Sequence, residues 1–204
     1  MSRLVLATSN PDKTREIEDL FRGLFVRIVP VTDIVPGWSI EETADSLEGN
    51  ALLKARAARE ASGEPAIADD TGLFVAALGG APGVRSARFA GPDATYADNV
   101  RRLLDALYGR PGEEREAVFR TVVALVRQGG ERVFQGELRG RILESPRGEG
   151  GFGYDPVFLL PEEGRTLAEI PLERKNALSH RSLAFRGARD FLETRPEWLS
   201  GADD

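Results

Sequence analysis

The chain has 204 residues, 41% of them hydrophobic, which suits one globular domain and argues against a disordered or repeat protein. Its net charge of −6 argues against electrostatic binding to nucleic acid, which requires a basic face. The sequence contains no cysteine and no apolar run long enough for a signal peptide or a membrane span, so we expect a cytoplasmic protein without disulfides.

The first part of the chain alternates strands with helices. Residues 3–7 form an apolar run that predicts a strand, and Thr8-Ser9-Asn10-Pro11 then opens a helix. Ser9 or Asn10 can cap this helix, and a proline suits its first position. A second strand is predicted over residues 25–31.

A long helix is predicted over residues 46–61, with Asp45 and Glu48 as a capping box. Residues 65–68 predict a buried strand that ends at Asp69-Asp70-Thr71-Gly72. The remaining predicted elements are a helix, two strands joined by a hairpin and a last helix, over residues 95–107, 117–127, 132–143 and 180–192. This order predicts an α/β protein with a mixed sheet, in one domain over residues 1–195 with a polar tail at 196–204.

The turn from Thr8 to Lys13 has features of a phosphate site. Backbone N–H groups at a helix N-terminus attract anions, and a lysine in the first turn adds a full charge. An ordinary capped helix explains the same residues.

Two pairs of acids suit a magnesium ion. Glu41 and Glu42 lie in an acidic loop, and Asp69 and Asp70 follow a buried strand. Mg²⁺ usually takes one or two carboxylates from protein, so one acid from each pair would suffice. The alternatives are a solvated acidic loop for the glutamates and a turn cap for the aspartates.

The chain uses lysine sparingly. Of 27 basic residues only three are lysines, namely Lys13, Lys54 and Lys175. Lysine differs from arginine in carrying a compact point charge, so these positions are candidates for phosphate contacts. Lys54 lies in a mostly apolar helix face, from which it could also extend harmlessly to solvent.

Residues 148–153 match G-x-G-x-x-G, but the pattern does not indicate a dinucleotide site, because Pro156 prevents the helix that must follow. Phe152 and Tyr154 could instead stack on a base, with Asp155 as an acceptor. A glycine-rich turn held in the core by its aromatic residues is the alternative.

A further group of donors surrounds the start of the last helix. Arg174-Lys175-Asn176 precedes Ser179-His180-Arg181, and these donors suit a purine edge or a phosphate. A core histidine is the alternative for His180. All three lysines and the only histidine thus fall within the polar segments, which favours one site for a polyanionic ligand.

These segments resemble the Ham1-like family of inosine and xanthosine triphosphate pyrophosphatases. The motifs that carry the resemblance occur in order from residue 4 to about 192: Thr8-Ser9-Asn10 with Lys13, Glu41-Glu42-Thr43, Glu48-Gly49-Asn50-Ala51 with Lys54, Ala68-Asp69-Asp70-Thr71-Gly72-Leu73, Gly79-Gly80-Ala81-Pro82-Gly83, Ser86-Ala87-Arg88, Gly150 to Pro156 with Phe158, and Ser179-His180-Arg181.

The resemblance implies an elongated α/β fold whose central mixed sheet is flanked by helices, with two lobes around a substrate cleft. It also implies a homodimer that hydrolyses ITP, dITP and XTP to the monophosphate and pyrophosphate with Mg²⁺. No nucleic acid or membrane partner is implied. The rival interpretations are a pyrophosphatase with another base preference, such as a Maf-like enzyme, and a nucleotide-binding module without activity.

Roles for individual residues follow from the resemblance alone. Glu42 would bind the metal, with Glu41 as the open alternative, and Asp70 would contact the metal and activate water. Lys13 and Lys54 would face the phosphates. The remaining residues would contact the substrate: Thr8, Ser9, Asn10 and Thr71, and, around the base and sugar, Phe152, Gly153, Tyr154, Asp155, Lys175, His180 and Arg181.

Overall fold

The computed structural model describes residues 2–24 and 26–199. Its α-helices are α1 (Pro11–Leu20), α2 (Val31–Ile34), α3 (Leu47–Ser62), α4 (Tyr96–Ala106), α5 (Leu172–Leu178) and α6 (His180–Thr194). Its strands are β1 (Ser2–Leu6), β2 (Val26–Pro30), β3 (Ala66–Val75), β4 (Pro82–Gly83), β5 (Glu116–Arg127), β6 (Gly130–Ile142), β7 (Phe158–Leu160) and β8 (Arg165–Thr166).

The strands form one mixed sheet. Its order is β2-β1-β3-β5-β6-β7-β8, and β4 pairs with β3 beside this path. β1 is parallel to β2 and to β3, whereas β4 runs antiparallel to β3, and β7 runs antiparallel to β6 and β8. The predicted α/β class with a mixed sheet is confirmed.

The register of β1 and β3 brings two predicted site segments to the same level along these neighbouring strands. Leu6 pairs with Ile67, so the turn that follows β1 and the acids that follow Ile67 begin at the same level.

The chain divides into two compact units, each with its own apolar core. The first contains the described residues of segments 1–70, 121–136 and 181–204, and the second contains 71–120 and 137–180. Large side chains in the first core include Leu4, Leu6, Ile17, Ile67, Leu125 and Phe185. Those in the second include Leu73, Leu103, Leu107, Ile142, Phe158 and Leu167.

The predicted end of β3 at Asp69-Asp70-Thr71-Gly72 was wrong, because this strand continues through these residues to Val75. Pairing with β4 extends the strand, with Leu73 opposite Gly83 and Phe74 opposite Pro82. Adjacent strand residues point to opposite faces, so Asp69 and Asp70 reach different partners.

Two other local predictions need correction. Ser46 caps α3 by accepting a hydrogen bond from the Gly49 amide at 3.0 Å, so the capping box predicted at Asp45 and Glu48 was one residue too early. Helix α5 was not predicted, because its seven residues carry too little apolar periodicity to distinguish them from a loop.

The beginning of the predicted polar tail packs on the first unit. Pro196–Leu199 forms a single 3₁₀ turn, and Trp198 is only 6% exposed within the first core. Arg127 and Arg132 lie over its ring at 4.8 and 5.2 Å from the centroid. The rest of the tail, and Phe25 of the predicted second strand, lie outside the described residues.

Within residues 2–24 and 26–199, no helix combines the length and apolar character needed to cross a membrane.

Candidate active site

The first unit contains a buried chain of alternating charges. The Lys13 ammonium lies 2.9 Å from Asp69 Oδ2, and Arg181 Nε donates to the same oxygen at 3.4 Å. Arg181 Nη1 also donates to Glu16 Oε2 at 2.7 Å. The three residues other than Lys13 are each at most 6% exposed. This chain ties α1, β3 and α6 together and fixes the position of both cations.

A second buried group lies around Asp70. Lys54 Nζ donates to Glu42 Oε1 at 2.7 Å and to Asp70 Oδ1 at 3.2 Å. Asn50 Nδ2 donates to the other oxygen, Asp70 Oδ2, at 3.2 Å, while Asn50 Oδ1 accepts from the Ala44 amide at 3.0 Å. Lys54 is 7% exposed, so it does not extend to solvent from α3. Both carboxyl oxygens of Asp70 are therefore oriented by side chains of one helix.

Burial and charge act against each other in these groups. Burial alone would raise the pKa of Asp69, but the neighbouring Lys13 and Arg181 charges lower it well below its usual range. Burial would lower the pKa of Lys54, yet the carboxylates of Asp70 and Glu42 raise it. Burial raises the pKa of Asp70 by more than the Lys54 charge lowers it. Asp70 is thus the carboxylate of the pair better suited to accept a proton.

The donor set around Asp70 fits a divalent cation. Glu42 and Asp70 converge on one point, at which the Lys54 ammonium supplies positive charge. The described residues contain no cluster of three or more metal-ligating side chains, but Mg²⁺ commonly takes only one or two carboxylates and completes its shell with phosphate and water. Of the adjacent glutamates, Glu42 meets this group and Glu41 is exposed.

The turn before α1 is already ordered by its own side chains. Asn10 is the cap, and its Oδ1 accepts from the amides of Asp12 at 2.9 Å and Lys13 at 3.4 Å. Thr8 Oγ1 accepts from the Asn10 amide at 3.2 Å, and Ser9 is exposed. The backbone N–H groups of Asp12 and Lys13, which were candidates for binding a phosphate, therefore already donate to the cap.

In the second unit, Asp155 organises the glycine-rich loop. Its Oδ2 accepts from the Phe152 amide and from Lys175 Nζ, both at 2.9 Å. Lys175 Nζ also lies 4.7 Å from the centroid of the Phe152 ring, within the range of a cation–π interaction. Gly151 adopts φ +70°, and a Cβ there would collide with the Asp155 carboxylate. The loop therefore needs glycine to close on Asp155.

The two aromatic residues of this loop differ in exposure. Tyr154 is 5% exposed, lies in the second core and donates from its hydroxyl to the Ser86 carbonyl at 2.9 Å. Phe152 is half-buried, as are Gly153 and, in β3, Thr71. Of the two rings, only that of Phe152 retains a surface on which a base could stack.

The adjacent residues His180 and Arg181 have different surroundings. His180 is 4% exposed and stacks on Phe119, with centroids 4.6 Å apart and ring planes 24° apart. This is the packing expected of a core histidine in the second unit. Arg181 belongs to the first unit, where it contacts the carboxylates of Asp69 and Glu16.

Sequence reasoning missed Glu16 and Tyr96. Glu16 follows Lys13 by three residues, so helical spacing already placed both on one face of α1. The ring of Tyr96 contacts that of Phe152, with a centroid distance of 6.0 Å. No local pattern signals that contact, because the residues are far apart in sequence.

The chain is similar to known proteins over almost its whole length. The model of the Ham1 family matches residues 4–191. A dITP/XTP pyrophosphatase of a Thermoanaerobacter species is 48% identical over 195 residues, which cover 96% of this chain and 98% of that protein. One from Porphyromonas gingivalis is 50% identical, covering 94% and 98%. A solved HAM1 protein from Coxiella burnetii superposes with a TM-score of 0.87 and 41% identity over 95% of this chain and 100% of its own. The chain therefore belongs to the Ham1 family.

Proposed function

We propose that the protein hydrolyses non-canonical purine nucleoside triphosphates (ITP, dITP and XTP) to the monophosphate and pyrophosphate. Support comes from the relatives named dITP/XTP pyrophosphatases, which match over almost their whole length. The structural observation that carries the proposal is the buried group in which Lys54 lies between Glu42 and Asp70. It combines a cation for phosphate oxygens with carboxylates for a metal and for a proton.

Glu42 and Asp70 would hold Mg²⁺, since their oxygens already converge on a positive charge. When bound, the ion would neutralise phosphate charge and lower the pKa of water. Glu41 is exposed and is the weaker candidate for this role.

The reaction requires little covalent chemistry from the protein. The oxygen of a water molecule forms a bond to the α-phosphorus while the bond from that phosphorus to the bridging oxygen breaks, and pyrophosphate leaves. Asp70 would accept the proton of the water, because Asn50 and Lys54 fix the positions of its two carboxyl oxygens. Lys54 and Lys13 stabilise the negative charge that develops on the phosphates. Lys13 and its neighbours Thr8, Ser9 and Asn10 would hold the triphosphate.

Recognition of the base is assigned to the second unit. Phe152 would stack on the purine, with Lys175 and Asp155 at its polar edge. The Lys175 ammonium can donate to the C6 oxo group of hypoxanthine or xanthine. In adenine the C6 group is an amine, which is itself a donor and cannot accept this hydrogen bond. We also propose that five further residues contact the substrate, namely Thr71, Gly153, Tyr154, His180 and Arg181.

Hydrolysis of ITP in ¹⁸O-labelled water tests this function. The expected result is release of pyrophosphate and IMP in equal amounts, with the label in IMP, because water attacks the α-phosphorus. Label in inorganic phosphate together with IDP would show cleavage at the γ-phosphorus and contradict the proposal. Omitting Mg²⁺ should suppress the reaction. A modified pyrimidine triphosphate assayed in parallel distinguishes the proposed purine preference from the Maf-like alternative, because only a Maf-like enzyme would prefer it.

We further propose a homodimer, which the family resemblance supports, and a cytoplasmic location. Sedimentation velocity gives the mass directly. A species of twice the 22.2 kDa chain is expected, and a monomer at micromolar concentration would contradict it.

A further inference from the structure

A second aromatic ring lies beside Phe152. Tyr96, the first residue of α4, has its ring centroid 6.0 Å from that of Phe152, with the planes tilted by 36°. Two rings at this separation attract each other, and this attraction adds to the stabilisation that comes from burying their apolar area. Tyr96 is nevertheless 46% exposed, so about half of its surface is available for another contact.

Tyr96 is held by a rigid element. Thr95 Oγ1 accepts from the Asp98 amide at 3.2 Å, and the Asp98 carboxylate accepts from the Thr95 amide at 3.0 Å. Val100 and Leu103 anchor the same helix in the second core. The ring is therefore presented by a capped, packed helix, which positions a contact more precisely than a loop does.

Two further contacts of Phe152 act on its backbone and on its ring face. Asp155 Oδ2 holds the Phe152 amide and the Lys175 ammonium, and that ammonium lies over the ring. An ammonium is small, so it restrains the rotation of the ring less than a packed aromatic side chain does. The ring of Tyr96 supplies this restraint.

We propose that Tyr96 is a positioning residue for base recognition: it packs on Phe152 and holds that ring in the orientation in which a purine base stacks on it. The inference rests on the proposed function, because it assigns Phe152 to the base. It adds a residue outside the glycine-rich loop to the determinants of base affinity. Loss of the Tyr96 ring should weaken binding of the base and leave binding of the sugar phosphate unchanged.

Calorimetric binding of IMP and of ribose 5-phosphate tests this without requiring turnover. The proteins are the wild type, Tyr96→Ala, Tyr96→Leu, Tyr96→Phe and, as a matched control, Tyr108→Ala, whose tyrosine is 91% exposed just beyond the other end of α4. Tyr96→Leu keeps apolar bulk without a ring, so it remains informative should the alanine variant fail to fold.

The Tyr96→Ala and Tyr96→Leu variants are expected to bind IMP about fivefold more weakly, the scale of one aromatic contact. Tyr96→Phe and Tyr108→Ala should stay within about twofold of the wild type, the range of a neutral surface change. Affinity for ribose 5-phosphate should not change. Wild-type IMP affinity in both ring-deleting variants, or an equal loss for ribose 5-phosphate, would overturn the inference.

Failure of the proposed function gives a different result. In that case the wild type releases no pyrophosphate from ITP, whatever the binding data show. Dependence of IMP affinity on Tyr96 would then still support the inference, whereas a wild type that binds IMP no better than ribose 5-phosphate would overturn it.

Discussion

Replacing Lys54 by arginine separates charge from geometry at the candidate active site. The Lys54 ammonium is held by Glu42 Oε1 at 2.7 Å and Asp70 Oδ1 at 3.2 Å, and it is 7% exposed among buried alanines of α3. Both carboxylates raise the pKa of Lys54, so the native group is charged. Arginine keeps that charge but is planar and wider. Any large effect of the change must therefore come from shape.

The size of the effect follows from these contacts. Enlarging a side chain in a packed site typically costs about 1–3 kcal/mol, which corresponds to a fall in Tm of a few degrees for a chain of this length. A guanidinium that shifts Asp70 displaces the group proposed to accept the proton, and misplacement by about 1 Å can cost about 100-fold in rate. We therefore expect kcat/KM for ITP to fall at least tenfold, with the protein still folded at 25 °C.

The assay is pyrophosphate release at 25 °C, with Tm measured on the same samples. Arg56→Lys is the matched control, because Arg56 lies on the same helix but makes an exposed pair with Glu131. That variant should retain wild-type kinetics, since exposed ion pairs contribute little. Near wild-type activity of Lys54→Arg would refute the reasoning and leave Lys54 with a role in charge balance alone.

Four further substitutions should have separable effects. Asp70→Asn should lower kcat by about 10²–10⁴-fold, which is the usual contribution of a general base. Asp69→Asn should mainly lower the free energy of unfolding, by about 3–5 kcal/mol, because it breaks a buried ion pair. Steady-state kinetics and urea unfolding of both variants test these two expectations. Arg115 donates to three backbone carbonyls at 2.8 Å, so Arg115→Met should lower the free energy of unfolding by about 3 kcal/mol, and an unchanged urea midpoint would contradict this. A Cβ at Gly140 would lie 2.5 Å from the Leu159 carbonyl oxygen, so Gly140→Ala should destabilise by about 1–3 kcal/mol in thermal unfolding, with no change in KM if the protein folds.

The parts of the structure that depend on residues adjacent in sequence were predictable from the sequence. The cap of α1, predicted at Ser9 or Asn10 and formed by Asn10, and the pairing of β5 with β6 follow from short-range spacing and turn chemistry. The continuation of β3 through Asp69 and Asp70 did not follow, because adjacent acids in a buried strand are tolerated only when distant cations neutralise them. Those cations lie on α1, α3 and α6.

The candidate site shows the same division. Scarcity of lysine indicated Lys54 among three lysines, and clustering of acids indicated two pairs, within which the family resemblance selected Glu42 and Asp70. The structure brings Lys54, Glu42 and Asp70 into contact. The partners of Arg181 and the ring contact of Tyr96 depend on packing between segments far apart in sequence. Side-chain spacing within one helix or loop carries no information about such contacts.

Selectivity between ITP and ATP tests the central claim most directly. Equimolar ITP and ATP are mixed with the protein and Mg²⁺ in one reaction, and the consumption of each is followed by chromatography, which gives the ratio of their kcat/KM values. A donor facing the amino group of adenine costs about 1–3 kcal/mol per mismatch, so two or more mismatches predict a preference for ITP of at least about 30-fold. Consumption of ATP at a rate comparable to that of ITP would contradict the account.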